Sequence, residues 1–381
     1  MTLSIERDGM KVTWKQVAAW RMRRQYMEPR AEHGARQIVS RLAGVQAQVW
    51  SSAEAAVALR QSTPDRDSVN RDIADGALMK TWAMRQTLHL LPPSEAGAYL
   101  SLMASAGSWL KPSWQRASGV SPDQIDALTD EVGAILEGGA VLTRDELVTR
   151  LVADQRFAGM EERLRSGWGS VLKPLAWRGV LCHGPNRGNK ITFTSPASVF
   201  GSDWKRIPDA DEAAPAVISA YLGAYGPATP DAFDRWLTLN STSKPRLRRW
   251  FAEMDDVLTE VDVEGRTTVM LKEHADELAD IPPCTGVRLL GGFDQYLLGP
   301  GTKDDALLPA EHRSAVSRAA GWISPIVVRD GVVAGVWEID GEEAVVAPFP
   351  GSDPLPEGEL ENEAAHVARA SGLSRLSVRV K

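Results

Sequence analysis

The chain has 381 residues, with 43 Lys+Arg against 50 Asp+Glu and a formal net charge of −7. Hydrophobic residues make up 43% and charged residues 24%, which excludes a disordered or fibrous polypeptide and leaves room for two or three domains with a sizeable core. An acidic balance argues at first against nucleic acid, but residues 1–205 carry 26 basic and 21 acidic side chains, net +5, whereas residues 206–381 carry 17 and 29, net −12.

The elements follow in chain order. Residues 14–28 are rich in helix formers, and residues 35–50 repeat Ile38, Leu42 and Val45 at helical spacing. Residues 52–60 and 68–75 read as further helices, the second stopped by Gly76. Residues 77–91, ALMKTWAMRQTLHLL, mix apolar and polar positions and fit a hairpin or an extended wing ending at Pro92-Pro93. Helices followed by a two-stranded ribbon are the pattern of a winged helix-turn-helix.

That pattern recurs twice. Ser121 caps a helix over 121–137, Thr143-Arg-Asp-Glu opens a second with a capping box, residues 163–178 form a third, and residues 181–194 form a hairpin with a Gly/Asn-rich tip. Residues 213–224 begin the next copy, Thr229 starts its second helix, residues 244–254 its third, and residues 257–272 its hairpin around Glu264-Gly265. From Cys284 strands dominate: 287–298, 323–328, 332–339, 343–349 and 376–380, with a helix over 364–371 and turn chemistry at Asp330-Gly331 and Asp340-Gly341. The expected fold class is α+β. Three tandem winged helices, 1–120, 121–207 and 208–281, pack around a C-terminal antiparallel β-barrel or sheet, 282–381.

Several chemistries find no support. Cys182 and Cys284 stand alone, giving neither a disulfide framework nor a metal motif, and a reducing cytosol is the natural compartment. The six histidines show no paired spacing, and P-loop, dinucleotide and G-x-S-x-G motifs are missing. The start lacks an apolar signal core, and no window approaches eighteen apolar residues. The expectation is a cytoplasmic monomer with no metal, no cofactor and no membrane partner.

Three basic features fit phosphate contact. Lys244, Arg246, Arg248 and Arg249 open the third helix of copy three, the recognition position of a helix-turn-helix; a solvated basic helix start has the same look. Arg187 and Lys190 flank the second hairpin tip, and Arg85 and His89 alternate with apolar residues in the first ribbon, where a lone His also suits a structural role. Most of the 13 tryptophans, among them Trp168, Trp177, Trp236 and Trp250, suit the core.

The segment GVQAQVW (44–50) carries Gln46 and Gln48. On a helix these two amides would point roughly 200° apart, the usual geometry of surface glutamines. The ordered set GVQAQVW, WAMRQTLHLL (82–91), LLGGFDQYLLG (289–299) and DGVVAGVW (330–337) resembles the AlkZ/YcaQ family of bacterial winged-helix DNA glycosylases, over almost the whole chain. The resemblance implies three winged helices around a β-barrel, with a concave face for duplex DNA. It implies removal of alkylated purines, including bulky adducts and interstrand crosslinks made by natural-product genotoxins. It also assigns the catalytic motif to Gln46 and Gln48, the Gln-x-Gln of the AlkZ-like branch, often linked to self-resistance in antibiotic producers.

The chemistry implied is consistent with amides. A glutamine is no base, but its carbonyl oxygen can hold a water and face growing positive charge on the sugar. A guanine alkylated at N7, or an adenine at N3, is cationic and leaves as a neutral base, so a general acid is not required. No lysine in the sequence is placed to argue for Schiff-base lyase chemistry, so the expected enzyme is monofunctional. A crosslinked base is not readily flipped out, and a shallow, flip-free site is an alternative to a flipping pocket. Two other functions fit the pattern: a non-catalytic winged-helix regulator or lesion binder, and a protein-interaction scaffold. Residues 297–315 form a long polar connection expected to approach DNA.

Overall fold

The computed structural model describes residues 10–167 and 169–381. It is a mixed α+β structure with three sheets. Trp168 lies outside the described residues.

The three expected hairpins form. Strands Met79–Trp82 and Leu88–Leu91 pair antiparallel, as do Cys182–Arg187 with Lys190–Thr194 and Leu258–Val263 with Arg266–Leu271. The first two do not stay separate: Lys80 pairs with His183, fusing them into one six-stranded sheet. The third takes Met10–Val12 as a parallel partner, so the N-terminus is stitched to the third hairpin.

The helix caps read from sequence hold. Ser121 and Thr143 accept from the backbone N–H of Gln124 and Glu146, and both side chains return the bond. Thr229 accepts from the N–H of Ala232. Helix Ala210–Tyr225 lies at the centre, packed on helices Pro93–Ser105 and Trp14–Arg24. The 93–105 helix had no sequence expectation; Pro92 and Pro93 look like a break but sit at its start, where proline is tolerated. The ring of Tyr221 meets Phe233 at 5.4 Å and Trp236 at 4.8 Å, and Trp177, Trp236 and Trp250 are buried as expected.

Several expected elements break. The 163–178 helix is two short ones, Glu161–Arg165 and Lys173–Trp177. The 287–298 strand ends at Leu290; Phe293 takes a left-handed φ of 58°, and helix Gln295–Leu298 follows, with Asp294 as its cap. The C-terminal strands Val287–Leu290, Ile326–Arg329, Val332–Asp340 and Glu343–Pro348 pair antiparallel in sequence order. The last, Ser377–Val380, adds in parallel, because helix Glu357–Ser371 carries the chain back before it pairs. The sheet is therefore mixed, not wholly antiparallel.

One buried ion pair ties these parts together. Arg60 Nη1 and Nη2 donate to the two carboxylate oxygens of Asp294 at 2.8 and 2.7 Å, with side-chain exposures of 0% and 1%. Arg60 also donates to Ala56 O at 2.7 Å and to Gln25 Oε1, while Gln25 donates to Ala224 O. Replacing one partner strands the other charge, so Asp294→Ala is expected to lower the unfolding free energy by about 3–5 kcal/mol. The double change Arg60→Met, Asp294→Leu should lose clearly less in urea denaturation; equal losses would show that the stranded charge is not the cause.

Candidate active site

The helix expected over 35–50 stops at Arg41. Ala43 and Gly44 take left-handed φ values of 51° and 96°, and a Cβ on Gly44 would sit 2.8 Å from Met84 Cε and 2.9 Å from Leu91 Cδ2. Glycine is required there both by backbone angle and by space. The chain leaves the turn extended, as strand Val45–Gln46, before helix Trp50–Ala58.

That change of element alters the geometry of the glutamine pair. Along an extended chain, residues two apart share a face. Gln46 opposes His89 in the ladder, Ala47 N–H donates to Leu88 O at 2.7 Å, and Leu88 N–H donates to Gln48 Oε1 at 3.4 Å. Gln46 is buried, with 7% exposure, and its Oε1 accepts no hydrogen bond among the described residues. Such an oxygen costs about 1–3 kcal/mol unless something donates to it. Gln48 is exposed.

Gln46 lines a cleft of about 310 Å³. Arg85 and Thr87 of the first hairpin form one side, and Arg235, Trp236 and Leu239, from helix Pro230–Thr238 and its end, form another. Phe293 and the segment 298–303, with Gly321 and Ile323, close the third. The segment is held close: a Cβ on Gly299 would lie 2.1 Å from Tyr225 Cδ1. Arg21 fixes the far end, donating to Tyr225 O at 2.9 Å and to Asp304 at 3.1 Å.

Three cations, Arg85, Arg235 and Lys303, line this cleft together with Gln46, and among the described residues no carboxylate does. Arg85 has a left-handed φ of 54°, donates to Trp236 O at 3.3 Å, and meets His89 Nε2 at 3.3 Å. Burial pushes its guanidinium down to about 10, still charged at neutral pH. His89 is wholly buried. Its Nδ1 faces Thr87 O at 3.0 Å, so the proton sits on Nδ1 and Nε2 accepts from Arg85. Burial, then the charge of Arg85, lowers it to about 3. His89 therefore stands behind Arg85 as a neutral acceptor and does not reach the surface as a DNA contact.

The other basic positions are more committed than the sequence suggested. Arg187 pairs with Glu146 at 3.1 Å, Lys244 with Asp231 at 2.6 Å, and Arg246 with Asp211 at 2.9 Å; Arg249 also pairs with Asp211. Hydrogen bonds from Arg246 and Trp250 hold the Asp211 carboxyl well below the usual carboxylate range. Lys190 and Arg248 are exposed. None of these six lines the Gln46 cleft.

Sequence reading missed Arg235 and Lys303. Arg235 is one cation on an amphipathic helix, with nothing to single it out. Lys303 follows Gly299-Pro-Gly-Thr, and a cation in a Gly/Pro-rich loop was a usable signal. Its side chain is exposed, unlike the desolvated lysines that form Schiff bases.

Comparison with known proteins agrees with this architecture. Residues 39–371 match the family model "DNA glycosylase AlkZ-like". A Streptomyces sahachiroi protein described as an interstrand DNA cross-link repair glycosylase is 73% identical over 371 residues, covering 97% of this chain and all of that protein. The solved structure of Streptomyces sahachiroi DNA glycosylase AlkZ superposes with a TM-score of 0.96 at 72% identity, covering 98% of this chain and all of that one. The chain belongs to the AlkZ-like family of DNA glycosylases, hydrolases of N-glycosyl bonds. Among the described residues no helix is long and apolar enough to cross a membrane.

The neutral His89 makes stability depend on pH. Below about pH 6.5 an unfolded His binds a proton that folded His89 refuses down to about pH 3. Its contribution is thus intact above pH 6.5 and lost as pH falls toward 3, by about 1.4 kcal/mol per pH unit. Denaturant titrations from pH 7.5 to 4.5 should show His89→Gln with a slope shallower by that amount; an unchanged slope would mean that folded His89 takes up its proton normally.

Proposed function

We propose that the protein is a monofunctional DNA glycosylase that hydrolyses the N-glycosidic bond of cationic alkylated purines, with bulky guanine adducts and interstrand crosslinks as its substrates. The observation that carries this reading is the buried, unaccepting Oε1 of Gln46 in a cleft lined by Arg85, Arg235 and Lys303. The cations fit the phosphates flanking a lesion. The amide oxygen fits a water aimed at C1′, and its dipole favours the positive charge that moves onto the sugar as the base leaves. Gln48, exposed in the bend beyond strand Val45–Gln46 and outside the lining of the cleft, is given the second place in the motif by the family resemblance. A neutral amide cannot expel an uncharged purine, which confines the enzyme to bases already activated by a positive charge. The relative described as a cross-link repair glycosylase supports the substrate class, and self-resistance to a DNA-alkylating compound is the role that follows.

The finer architecture belongs to the same proposal. Units 1–120, 121–207 and 208–281 are three winged helices, and 282–381 is the β unit they surround. The arrangement supports this reading by placing Gln46, Arg235 and Lys303 from three of these units around one cleft. Duplex DNA lies along it, with Lys190 and Arg248 as outlying phosphate contacts, and the protein acts as a monomer in the cytoplasm.

Purified protein should release N7-alkylguanine from duplex DNA. Gln46→Ala, Gln48→Ala should abolish release with DNA affinity within about twofold; retained activity would sink the assignment. The cleft's ionisable side chains are two arginines and a lysine, so the single-turnover rate should be flat from about pH 6 to 8.5, whereas a bell-shaped profile would demand a carboxylate or imidazole catalyst. Borohydride should trap no covalent protein–DNA species; trapping lost in Lys303→Ala would make the enzyme bifunctional. Lys303→Ala should also lower the salt slope of DNA binding by about 0.9.

A further inference from the structure

We propose that a second cavity, parted from the Gln46 cleft by one layer of chain, receives the flat apolar arm of a bulky base adduct while Gln46 acts at the sugar. This rests on the glycosylase reading above and adds where the bulk of the lesion goes. The cavity has a volume of about 630 Å³, the size of a site for a drug-sized ligand. Ala55 and Leu59 of the first unit face Val336, Trp337 and Ala347 of the C-terminal sheet across it.

The two hollows share their partition. Gly292 lines the cavity and its neighbour Phe293 lines the cleft; Gly321 and Ile323 line the cleft, whereas Trp322, Ser324 and Pro325 line the cavity. The partition is thin because its two strands of chain touch backbone to backbone: a Cβ on Gly292 would lie 2.8 Å from Ile323 O. Phe293 meets Trp322 edge to face at 5.2 Å and 85°, one ring on each side of the wall. Ser51 and Ser52, in the first turn after the Gln46–Gln48 segment, reach the cavity as well.

The chemistry of the mouth selects the occupant. Trp322 is 47% exposed, an unusual position for the largest apolar side chain. Left-handed Ala320 and Gly321, at 56° and 76°, hold it out at the junction. Arg318 beside it donates its backbone N–H to Trp322 O at 2.8 Å, and among the described residues no carboxylate lies within ion-pair distance of its exposed guanidinium. An exposed indole over an apolar hollow suits a planar aromatic group, and an uncompensated arginine suits a phosphate. An aromatic arm carried on a DNA base brings both at once.

The test compares single-turnover release of N7-methylguanine with release of guanine bearing a polycyclic aromatic arm at N7. Full-length wild type, Ala347→Phe, which fills the cavity from the sheet, and Trp322→Ala are compared. The release ratio, polycyclic over methyl, should fall about tenfold in each variant. Thermal melting checks that Ala347→Phe is folded; if it is not, Trp322→Ala, altered at the surface, decides. An unchanged ratio overturns the cavity assignment, as does wild type that releases only the methyl base. Wild type that releases neither base overturns the glycosylase reading instead.

Discussion

Arg60 and Asp294 lie 234 positions apart and face each other through two parallel hydrogen bonds in the interior. Their geometry fixes the site from both sides. Arg60 follows the helix that leaves the Gln46–Gln48 segment. Asp294 caps the short helix whose end begins the 298–303 wall, accepting from Tyr296 N–H at 2.8 Å. Neither charge can move without stranding the other in a low dielectric, so the Gln46 strand and the opposite wall keep one separation. Arg21 repeats the device nearby, joining the first helix to the end of the central helix and to Asp304 beside Lys303.

Held in that frame, the site is built from restrained polar groups rather than a strong base. His89 is kept neutral so that its Nε2 can anchor a charged Arg85, and Arg85 in turn is aimed by Trp236 O. Gln46 brings an amide oxygen that the described residues bury without a donor. On the proposed reading, catalysis by such a group is selective, since a neutral amide serves best a base that departs as a neutral molecule.

The charge distribution acquires a location. The cations that line the cleft, Arg85, Arg235 and Lys303, come from both halves of the chain, so the cleft does not divide along the +5 and −12 halves. The basic run at 244–249 fitted phosphate contact, yet three of its four cations are engaged by Asp231 and Asp211. Those acids lie 13 to 38 positions away from their partners, beyond what local charge patterning reveals.

Local physics was legible in the residues themselves. Ser121, Thr143 and Thr229 declared their helix starts through side chains that bond within three residues, and the second and third hairpins declared themselves through glycines at their turns. The Gln-x-Gln motif could be named from its resemblance, but its conformation could not. Helical periodicity ran through Leu42 and Val45, but the left-handed turn at Ala43-Gly44 and the pairing of Val45 and Gln46 with Leu90 and His89 of the first hairpin make that stretch a strand. The sequence by itself thus determined many of the elements, their caps and the presence of the amide pair, because those depend on neighbours a few residues away. Tertiary structure alone decided that Gln46 is buried and that Arg235 and Lys303 share a cleft with it. Both depend on contacts between segments far apart in sequence, whose meeting is set by packing of the whole chain.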